Sequence, residues 1–165
     1  MRVLLQRVSQ ARVEVEGVTT GEIGQGLLLL VGMSPDDDRV VIDLLAAKVA
    51  GLRIFEDAEG RMNRAAEDLV AAGEPCAVLV VSQFTLYGDV RKGRRPSFTD
   101  AARPEVAQPA IASFCETLRE RGFQVEEGVF GAHMQVTSTN DGPVTIWLDS
   151  DDLRRPRRGG TEGGS

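Results

Sequence analysis

The chain has 165 residues and a formal net charge of −6, with 42% hydrophobic and 27% charged residues. These values are typical of one soluble globular domain with a sizeable core, and they exclude a general histone-like nucleic-acid binder. No apolar stretch approaches the roughly 20 residues of a membrane helix. The start, residues 1–7, is too short and too soon charged for a signal peptide. We therefore expect a cytoplasmic protein without membrane contact.

Residues 2–32 are predicted to be β-structure. Val3 and Leu5, and later Val13 and Val15, alternate with polar neighbours, which is the period of a half-buried strand. Residues 27–31 are apolar throughout, which indicates a strand covered on both faces.

Two main helices are predicted. Acidic residues in the segment 34–38 suit the positive end of a helix dipole and supply a cap, so a helix opens there and ends near Gly51. A second helix spans residues 104–121, with a proline in its first turn and Gly122 as its end. Its inward stripe consists of Ile111, Phe114, Cys115 and Leu118.

Short strands complete the expected fold, at residues 53–55, 77–81, 123–126, 133–139 and 144–148, whereas residues 64–75 have no clear pattern. We expect a single compact mixed α/β domain over residues 1–148, mainly an antiparallel, barrel-like sheet with two main helices. From Asp149 onward the chain is basic and then glycine-rich, which predicts a disordered tail over residues 149–165.

A polar segment follows the apolar run 77–81. Ser82, Gln83 and Thr85 place two hydroxyls and an amide at the end of this buried strand. Four positive charges follow within five positions, a pattern that suits a phosphate-contacting loop, although many charge runs are only solvated. These cations are Arg91, Lys92, Arg94 and Arg95.

Common nucleophiles and metal sites are poorly represented. His133 is the only histidine and has no carboxylate placed to orient it. Cys115 lies on the apolar stripe of a helix, and Cys76 has no base nearby. Neither a P-loop nor metal-ligand spacing is present, so we expect no metal and no cofactor. An enzyme with these residues would rely on hydroxyls, amides and backbone N–H groups, which suffices for an activated bond such as an ester.

Two short segments have alternative interpretations. Thr85 is a potential nucleophile, but the hydroxyls of Ser82 and Thr85 could equally satisfy backbone groups at a strand end. The segment 140–145 consists largely of turn formers and could be an ordinary loop between two strands.

Together, however, the two segments resemble the two signatures of the D-aminoacyl-tRNA deacylase family. The first is Ser82-Gln83-Phe84-Thr85-Leu86, and the second is Asn140-Asp141-Gly142-Pro143-Val144-Thr145. Residues 1–8, 21–24, 53–55 and 94–98 also resemble the family, so the similarity spans about residues 1–148. Either motif alone is short, but both in this order are highly specific.

The resemblance implies a metal-independent, homodimeric hydrolase with no cofactor. Such an enzyme cleaves the ester that joins a D-amino acid, or glycine, to tRNA, as a proofreading step in translation quality control. A cis Gly142-Pro143 dipeptide, braced by Arg7, would reach into the pocket of the partner subunit and leave no room for an L side chain. The backbone N–H of Phe84 would bind the oxyanion, Thr85 would line the pocket, and the 2′-hydroxyl of the tRNA would assist.

The expected site falls into three groups of residues. The catalytic floor is formed by Ser82, Gln83, Phe84 and Thr85. The substrate is bound and selected by Leu86, Met134, Gly142, Pro143, Val144 and Thr145, which Arg7 braces. RNA is contacted by Arg91, Lys92, Arg94 and Arg95. Two other functions stay open from the residues: a non-catalytic RNA-binding module that uses the basic loop, and a hydrolase of small D-amino acid esters without an RNA partner.

Overall fold

The long first strand organises the main sheet. In a computed structural model, which describes residues 1–155, β1 (Arg2–Val15) pairs antiparallel with β3 (Gly26–Gly32) through its first half and with β2 (Val18–Ile23) through its second half. The opposite edge of β1 pairs antiparallel with β8 (Gln135–Asp149) along almost its whole length. Because β1 has partners on both edges, it lies inside the sheet.

Two further strands extend the sheet in parallel. β6 (Ala77–Ser82) pairs with β3, and β7 (Gln124–Glu127) pairs with β6. A Cβ atom at Gly21 in β2 would lie 2.7 Å from the carbonyl oxygen of Glu127 at the end of β7. The glycine thus allows β2 and β7 to approach closely, and the sheet is nearly closed like a barrel.

Helices cover one side of this sheet. α1 (Arg39–Gly51) and α3 (Pro104–Glu120) are the two main helices, and α2 (Ala66–Ala71) and α4 (Ser150–Arg154) are short. A small antiparallel hairpin, β4 (Arg53–Glu56) and β5 (Met62–Ala65), leads into α2. The mixed α/β fold, the barrel-like sheet and the two main helices agree with the sequence prediction. None of the helices within residues 1–155 is long and apolar enough to cross a membrane.

The strand β3 is buried on both faces, as its apolar run predicted. Leu27 and Leu29 pack into the core beneath the helices, whereas Leu28 belongs to a second cluster inside the barrel. The predicted inward stripe of α3 is also confirmed, since Phe114 and Leu118 are both fully buried.

The predicted opening of the first helix is confirmed. α1 begins at Arg39, and Asp38, in the predicted segment 34–38, caps it by accepting a hydrogen bond from the N–H of Val41 at 2.9 Å. The segment left without an assignment contains the end of β5 and α2. One local prediction is wrong: the two strands predicted at residues 133–139 and 144–148 are parts of the single strand β8.

The predicted disorder from residue 149 is also wrong for the first part of the tail. Asp149 ends β8, and its side chain caps α4 by accepting a hydrogen bond from the N–H of Asp151. Ser150 is 2% exposed, donates its backbone N–H to the carbonyl oxygen of Met1 and accepts a bond from the N-terminal amine. The remainder of the predicted tail, residues 156–165, lies outside the described residues.

Candidate active site

The first sequence signature forms a tight turn at the carboxyl end of β6. The backbone N–H of Gln83 donates to the carbonyl oxygen of Val31 at 2.7 Å, which ties the turn to β3. Residues Phe84–Tyr87 then form a single 3₁₀ turn, and the side-chain amide of Gln83 donates to the hydroxyl of Thr85. Phe84 is the first residue of this turn, and the first N–H groups of a helix have no acceptor inside it.

The turn borders a cavity of about 410 Å³. Ser82, Gln83 and Phe84 supply its polar end, and the ring of Phe84 is 58% exposed at the opening. Phe84 packs edge-on against Phe98, with ring centroids 5.1 Å apart. The remaining walls are mostly apolar and come from β3, α3 and the segments next to them; they include Val31, Met33, Ala102, Ala107, Ile111 and Phe130.

The second signature bulges out of β8. Gln6 of β1 pairs with Thr145, but Val8, two residues later, pairs with Asn140. Between these two pairs β1 has one residue, Arg7, whereas β8 has four, residues 141–144, which form a bulge opposite Arg7. This is why a segment rich in turn formers lies inside one continuous strand.

Hydrogen bonds at the base fix the shape of this bulge. The side-chain oxygen of Asn140 accepts from the N–H of Val144 at 2.9 Å, and its amide nitrogen donates to the hydroxyl of Thr145 at 2.8 Å. Gln6 donates to the same hydroxyl at 3.2 Å. Thr145 and Asn140 therefore close the bulge, which leaves Gly142 and Pro143 exposed at its tip.

Arg7 holds the bulge from beneath. Its guanidinium donates from Nε to the carbonyl oxygen of Asp141 at 3.0 Å, and from a second nitrogen to the carbonyl oxygen of Ile54 in β4. The side chain is almost fully buried, and it also lies 3.4 Å from the carboxylate of Asp141. The Gly142-Pro143 peptide bond is cis, and Gly142 has a φ of +131°, a value that favours glycine.

Replacing Arg7 with methionine is expected to destabilise the fold by about 1–3 kcal/mol, because the buried carbonyl oxygen of Ile54 would lose its donor. Urea denaturation measures this change. Arg12→Met is the matched control in the same strand: Arg12 is 43% exposed, and its one ion pair within residues 1–155 is with Glu14, so its effect should stay within about 0.5 kcal/mol. Equal losses in both variants would contradict the bracing role.

The two signatures border different cavities. The bulge residues Asp141 and Gly142, together with Arg7, border a polar cavity of about 450 Å³ that also includes an ion pair between Arg64 and Glu74. Among residues 1–155, this cavity shares no lining residue with the cavity at the first signature. Within one chain, therefore, the floor and the bulge do not form a common pocket.

Several other expected site residues line neither cavity: Thr85, Leu86, Met134, Pro143, Val144 and Thr145. Met134 packs on the barrel cluster, and its sulfur lies 2.6 Å from the position that a Cβ of Gly128 would take. Leu86 is half-buried in the 3₁₀ turn, and its carbonyl oxygen accepts a hydrogen bond from Arg2 at 2.9 Å. Arg2 and the cavity residues Phe98 and Phe130 were not among the predicted site residues. For Phe98 a signal existed, since it ends the stretch 94–98 that resembles the deacylase family.

The basic loop presents fewer free charges than its sequence implies. Arg91 forms two side-chain hydrogen bonds with the carboxylate of Asp89, at 2.7 and 2.8 Å, and these bonds lower the pKa of Asp89 to about 2. The loop is closed by paired backbone hydrogen bonds between Asp89 and Ser97. Within the described part of the chain, Lys92, Arg94 and Arg95 make no ion pair and are exposed.

The two cysteine thiols and the imidazole of His133 line neither cavity. Burial raises the pKa of the Cys76 thiol to about 11 and that of the Cys115 thiol still further, so both remain protonated at neutral pH. His133 is exposed in a separate depression beside Glu14 and Glu16. Nowhere in residues 1–155 do three or more His, Cys, Asp or Glu side chains converge as a metal site would require. The polar side chains that line the first cavity are those of Ser82, Gln83 and Arg103, so its chemistry would rely on these groups and on backbone N–H groups.

Comparison with known proteins identifies the family of this chain. The sequence model of a family described as D-Tyr-tRNA(Tyr) deacylase matches residues 4–149, which include both signatures and Arg7. The chain belongs to this family. Deacylases of the D-Tyr-tRNA(Tyr) family are hydrolases that act on ester bonds.

Relatives within this deacylase family are similar over almost their whole length. A D-aminoacyl-tRNA deacylase from Thermomicrobium roseum is 61% identical over 154 residues, which cover 93% of this chain and 97% of that protein. Another from Chloroflexus aurantiacus is 53% identical over 161 residues, which cover 98% of each chain.

Two solved structures share the fold of this deacylase. The c-Myc DNA Unwinding Element Binding Protein has a TM-score of 0.81 and 37% identity, over 90% of this chain and 98% of that chain. A probable eukaryotic D-amino acid tRNA deacylase has a TM-score of 0.74 over 89% of this chain and 97% of its own, and at 21% identity it demonstrates similarity of fold.

Proposed function

We propose that this chain hydrolyses the ester that joins a D-amino acid, or glycine, to the 3′ end of tRNA. The observation that carries the proposal is the presence of both family signatures in the form of defined structures, a turn bordering a cavity and an exposed bulge held by Arg7. We assign this activity to residues 1–148 and place it in the cytoplasm, where it would clear mischarged tRNA.

The first signature would supply oxyanion binding. With the ester carbonyl oxygen near the N–H of Phe84, attack of water on the carbonyl carbon places negative charge on that oxygen, where the N–H stabilises it. Collapse of this intermediate breaks the bond to the ribose oxygen, which takes up a proton and leaves as a hydroxyl group. Products are the free amino acid and tRNA. A 2′-hydroxyl on the terminal ribose would assist the proton transfer.

Thr85 lies beside the pocket rather than in its wall, since Phe84 lines the cavity and Thr85 does not, and it is not the nucleophile. Its hydroxyl oxygen accepts a hydrogen bond from the amide of Gln83, which fixes its position. Activation of a hydroxyl requires an adjacent base, and the residues lining this cavity include no histidine, lysine or carboxylate. An aminoacyl ester is already activated, so positioning and oxyanion binding are sufficient.

The second signature would complete the site of a second copy in a homodimer. Its exposed tip, Gly142 and Pro143, would enter the partner's cavity, where its carbonyl oxygens hold the substrate amino group and exclude an L side chain. Three observations support this arrangement. The two signatures border separate cavities in one chain. Within residues 1–155, the outer edge of β8 pairs with no strand. Val136 and Trp147 on β8 are 40% and 46% exposed.

The basic loop would contact the tRNA backbone through Lys92, Arg94 and Arg95. Replacing all three with glutamine is expected to weaken tRNA binding and to reduce the slope of log K against log salt by about 2, since each lost phosphate contact removes roughly 0.7–0.9. Fluorescence titration of tRNA at several salt concentrations measures this slope. Arg61→Gln is the control, because Arg61 is 72% exposed and lies far along the chain in the β4–β5 turn. An unchanged slope in the triple variant would exclude the loop from the RNA contact.

The decisive assay compares tRNA charged with D-tyrosine, L-tyrosine and glycine under identical conditions. The proposal requires release of D-tyrosine and glycine with little release of L-tyrosine. Equal hydrolysis of the D and L forms would contradict the selection mechanism, and hydrolysis of free D-amino acid esters but not of charged tRNA would favour a small-ester hydrolase.

Nucleic-acid binding without hydrolysis is the second candidate. It is favoured by the exposed cations of the loop and by the name of the c-Myc DNA Unwinding Element Binding Protein, which is 37% identical to this chain. This function requires salt-dependent binding of tRNA without release of any amino acid in the same assay.

A further inference from the structure

Arg2 makes an unusual set of contacts at the start of β1. Its Nε donates to the carboxylate of Asp149 at 2.9 Å, and another nitrogen donates to the carbonyl oxygen of Leu86 at 2.9 Å. The guanidinium lies 4.3 Å from the ring centroid of Tyr87 and 5.8 Å from that of Trp147. One side chain thus contacts both the turn of the first signature and the end of β8.

These contacts fix the 3₁₀ turn at its carboxyl end. The other end is tied to β3 by the hydrogen bond from Gln83 to Val31. The turn itself is closed by a bond from the N–H of Leu86 to the carbonyl oxygen of Gln83 at 3.2 Å and by one from the N–H of Gly88 to the carbonyl oxygen of Thr85 at 2.9 Å. A turn of four residues has few hydrogen bonds of its own, so its orientation depends on outside anchors. Arg2 anchors it through a charge-assisted bond to Leu86 and through cation–π contact with Tyr87.

The direction of the Phe84 N–H depends on this anchor. Phe84 and Leu86 belong to the same turn, and any tilt of the turn moves the N–H relative to the cavity. Misplacement of a catalytic group by about 1 Å can lower a rate by about 10²-fold.

We infer that Arg2 is a positioning residue for ester hydrolysis: it acts through the Leu86 carbonyl oxygen to hold the Phe84 N–H in its catalytic direction. The inference rests on the proposed function, because it assigns a role to Arg2 in that reaction. Arg2 itself does not line the cavity at the first signature.

Three variants test this role: Arg2→Met, Arg2→Lys, and Arg39→Met as the control. Arg39 is 59% exposed and forms an ion pair with Asp43, so its loss should leave kcat within about twofold. In Arg2→Met we expect kcat on D-tyrosyl-tRNA to fall by about 10-fold or more, with KM changed by less than about threefold. Arg2→Lys should restore part of kcat, because an ammonium group can still bind the Leu86 carbonyl oxygen.

Readouts that do not depend on activity complete the test. Trp147 is the only tryptophan of the chain, so its emission reports directly on removal of the guanidinium. Hydrogen–deuterium exchange of residues 83–88 should become faster in Arg2→Met and stay unchanged in Arg39→Met. If Arg2→Met does not fold, the Arg2→Lys variant carries the test through its reduced kcat.

Unchanged kcat in the folded Arg2 variants, with or without a lower melting temperature, overturns the inference, as does unchanged exchange of residues 83–88. Failure of the proposed function is a separate result, since the wild-type protein would then release no amino acid from D-tyrosyl-tRNA.

Discussion

Phe84→Pro is expected to lower kcat for D-aminoacyl-tRNA by about 10²–10³-fold relative to Phe84→Ala, which is the loss typical of removing one oxyanion donor. Proline removes the backbone N–H, whereas alanine keeps it, and both remove the aromatic ring. Proline is tolerated at the first position of a helical turn. A proline also disfavours the α conformation for the residue before it, and Gln83, with φ −145° and ψ 78°, does not adopt that conformation.

Single-turnover kinetics of the two variants, with melting curves to confirm folding, give this ratio. Equal kcat values for Phe84→Pro and Phe84→Ala would show that the N–H of Phe84 does not bind the developing charge. A loss confined to KM in both variants would instead assign Phe84 to substrate binding through its ring.

Gly142→Ala is expected to lower kcat/KM for D-aminoacyl-tRNA by about 10–100-fold. A Cβ atom there would lie 2.9 Å from Cγ2 of Val144 and 3.0 Å from a guanidinium nitrogen of Arg7, and the φ of +131° is strained for any L-residue. Strain of this kind costs about 1–3 kcal/mol, and relief of it would displace the tip of the bulge. Parallel assays with D-tyrosyl- and glycyl-tRNA measure the effect.

Gly17→Ala is the matched control for this substitution. Gly17 also has a positive φ, +78°, but a Cβ atom there would meet nothing within 4 Å. Its replacement should cost stability without changing kcat/KM by more than about twofold. If both alanine variants retained wild-type activity, the bulge would not be part of the active site.

The parts of the fold that follow from local patterns were predictable. The unbroken apolar run of β3 indicated a strand covered on both faces, and that of β6 indicated a buried strand; both strands contribute to the core beneath the helices and to the barrel interior. The stripe Ile111 to Leu118 identified the buried face of α3. Both predictions follow from which residues are buried, and the spacing of apolar residues along the sequence indicates this directly.

The errors arose where long-range pairing overrides local preference. Asn140, Asp141, Gly142 and Pro143 are turn formers, yet β8 continues through them because β1 pairs with the strand on both sides of the bulge. The residues after Asp149 look disordered by composition, but Ser150 is held by Met1 at the other end of the sequence. No local pattern contains such contacts.

The sequence predicted the two motifs of the candidate site but not how they are arranged in space. Resemblance identified the residues of the turn and of the bulge, whereas composition and spacing alone left both as a strand end and a loop. Neither the family resemblance nor the local pattern assigned a role to Arg2, whose contacts with Leu86 and Asp149 join distant parts of the chain. Counting the charges in the sequence also overestimated the number of free cations in the basic loop, because Arg91 is paired with Asp89.

The proposal that two subunits share each active site is tested most directly by a purified heterodimer of one Phe84→Pro subunit and one Gly142→Ala subunit, assayed on D-tyrosyl-tRNA. Each subunit alone carries a defect. If the floor of one copy works with the bulge of the other, the heterodimer contains one site with both parts intact, and its activity should be about half that of the wild-type dimer. If each chain forms its own site, both sites carry a defect, and activity no higher than that of the parent variants would contradict the proposal.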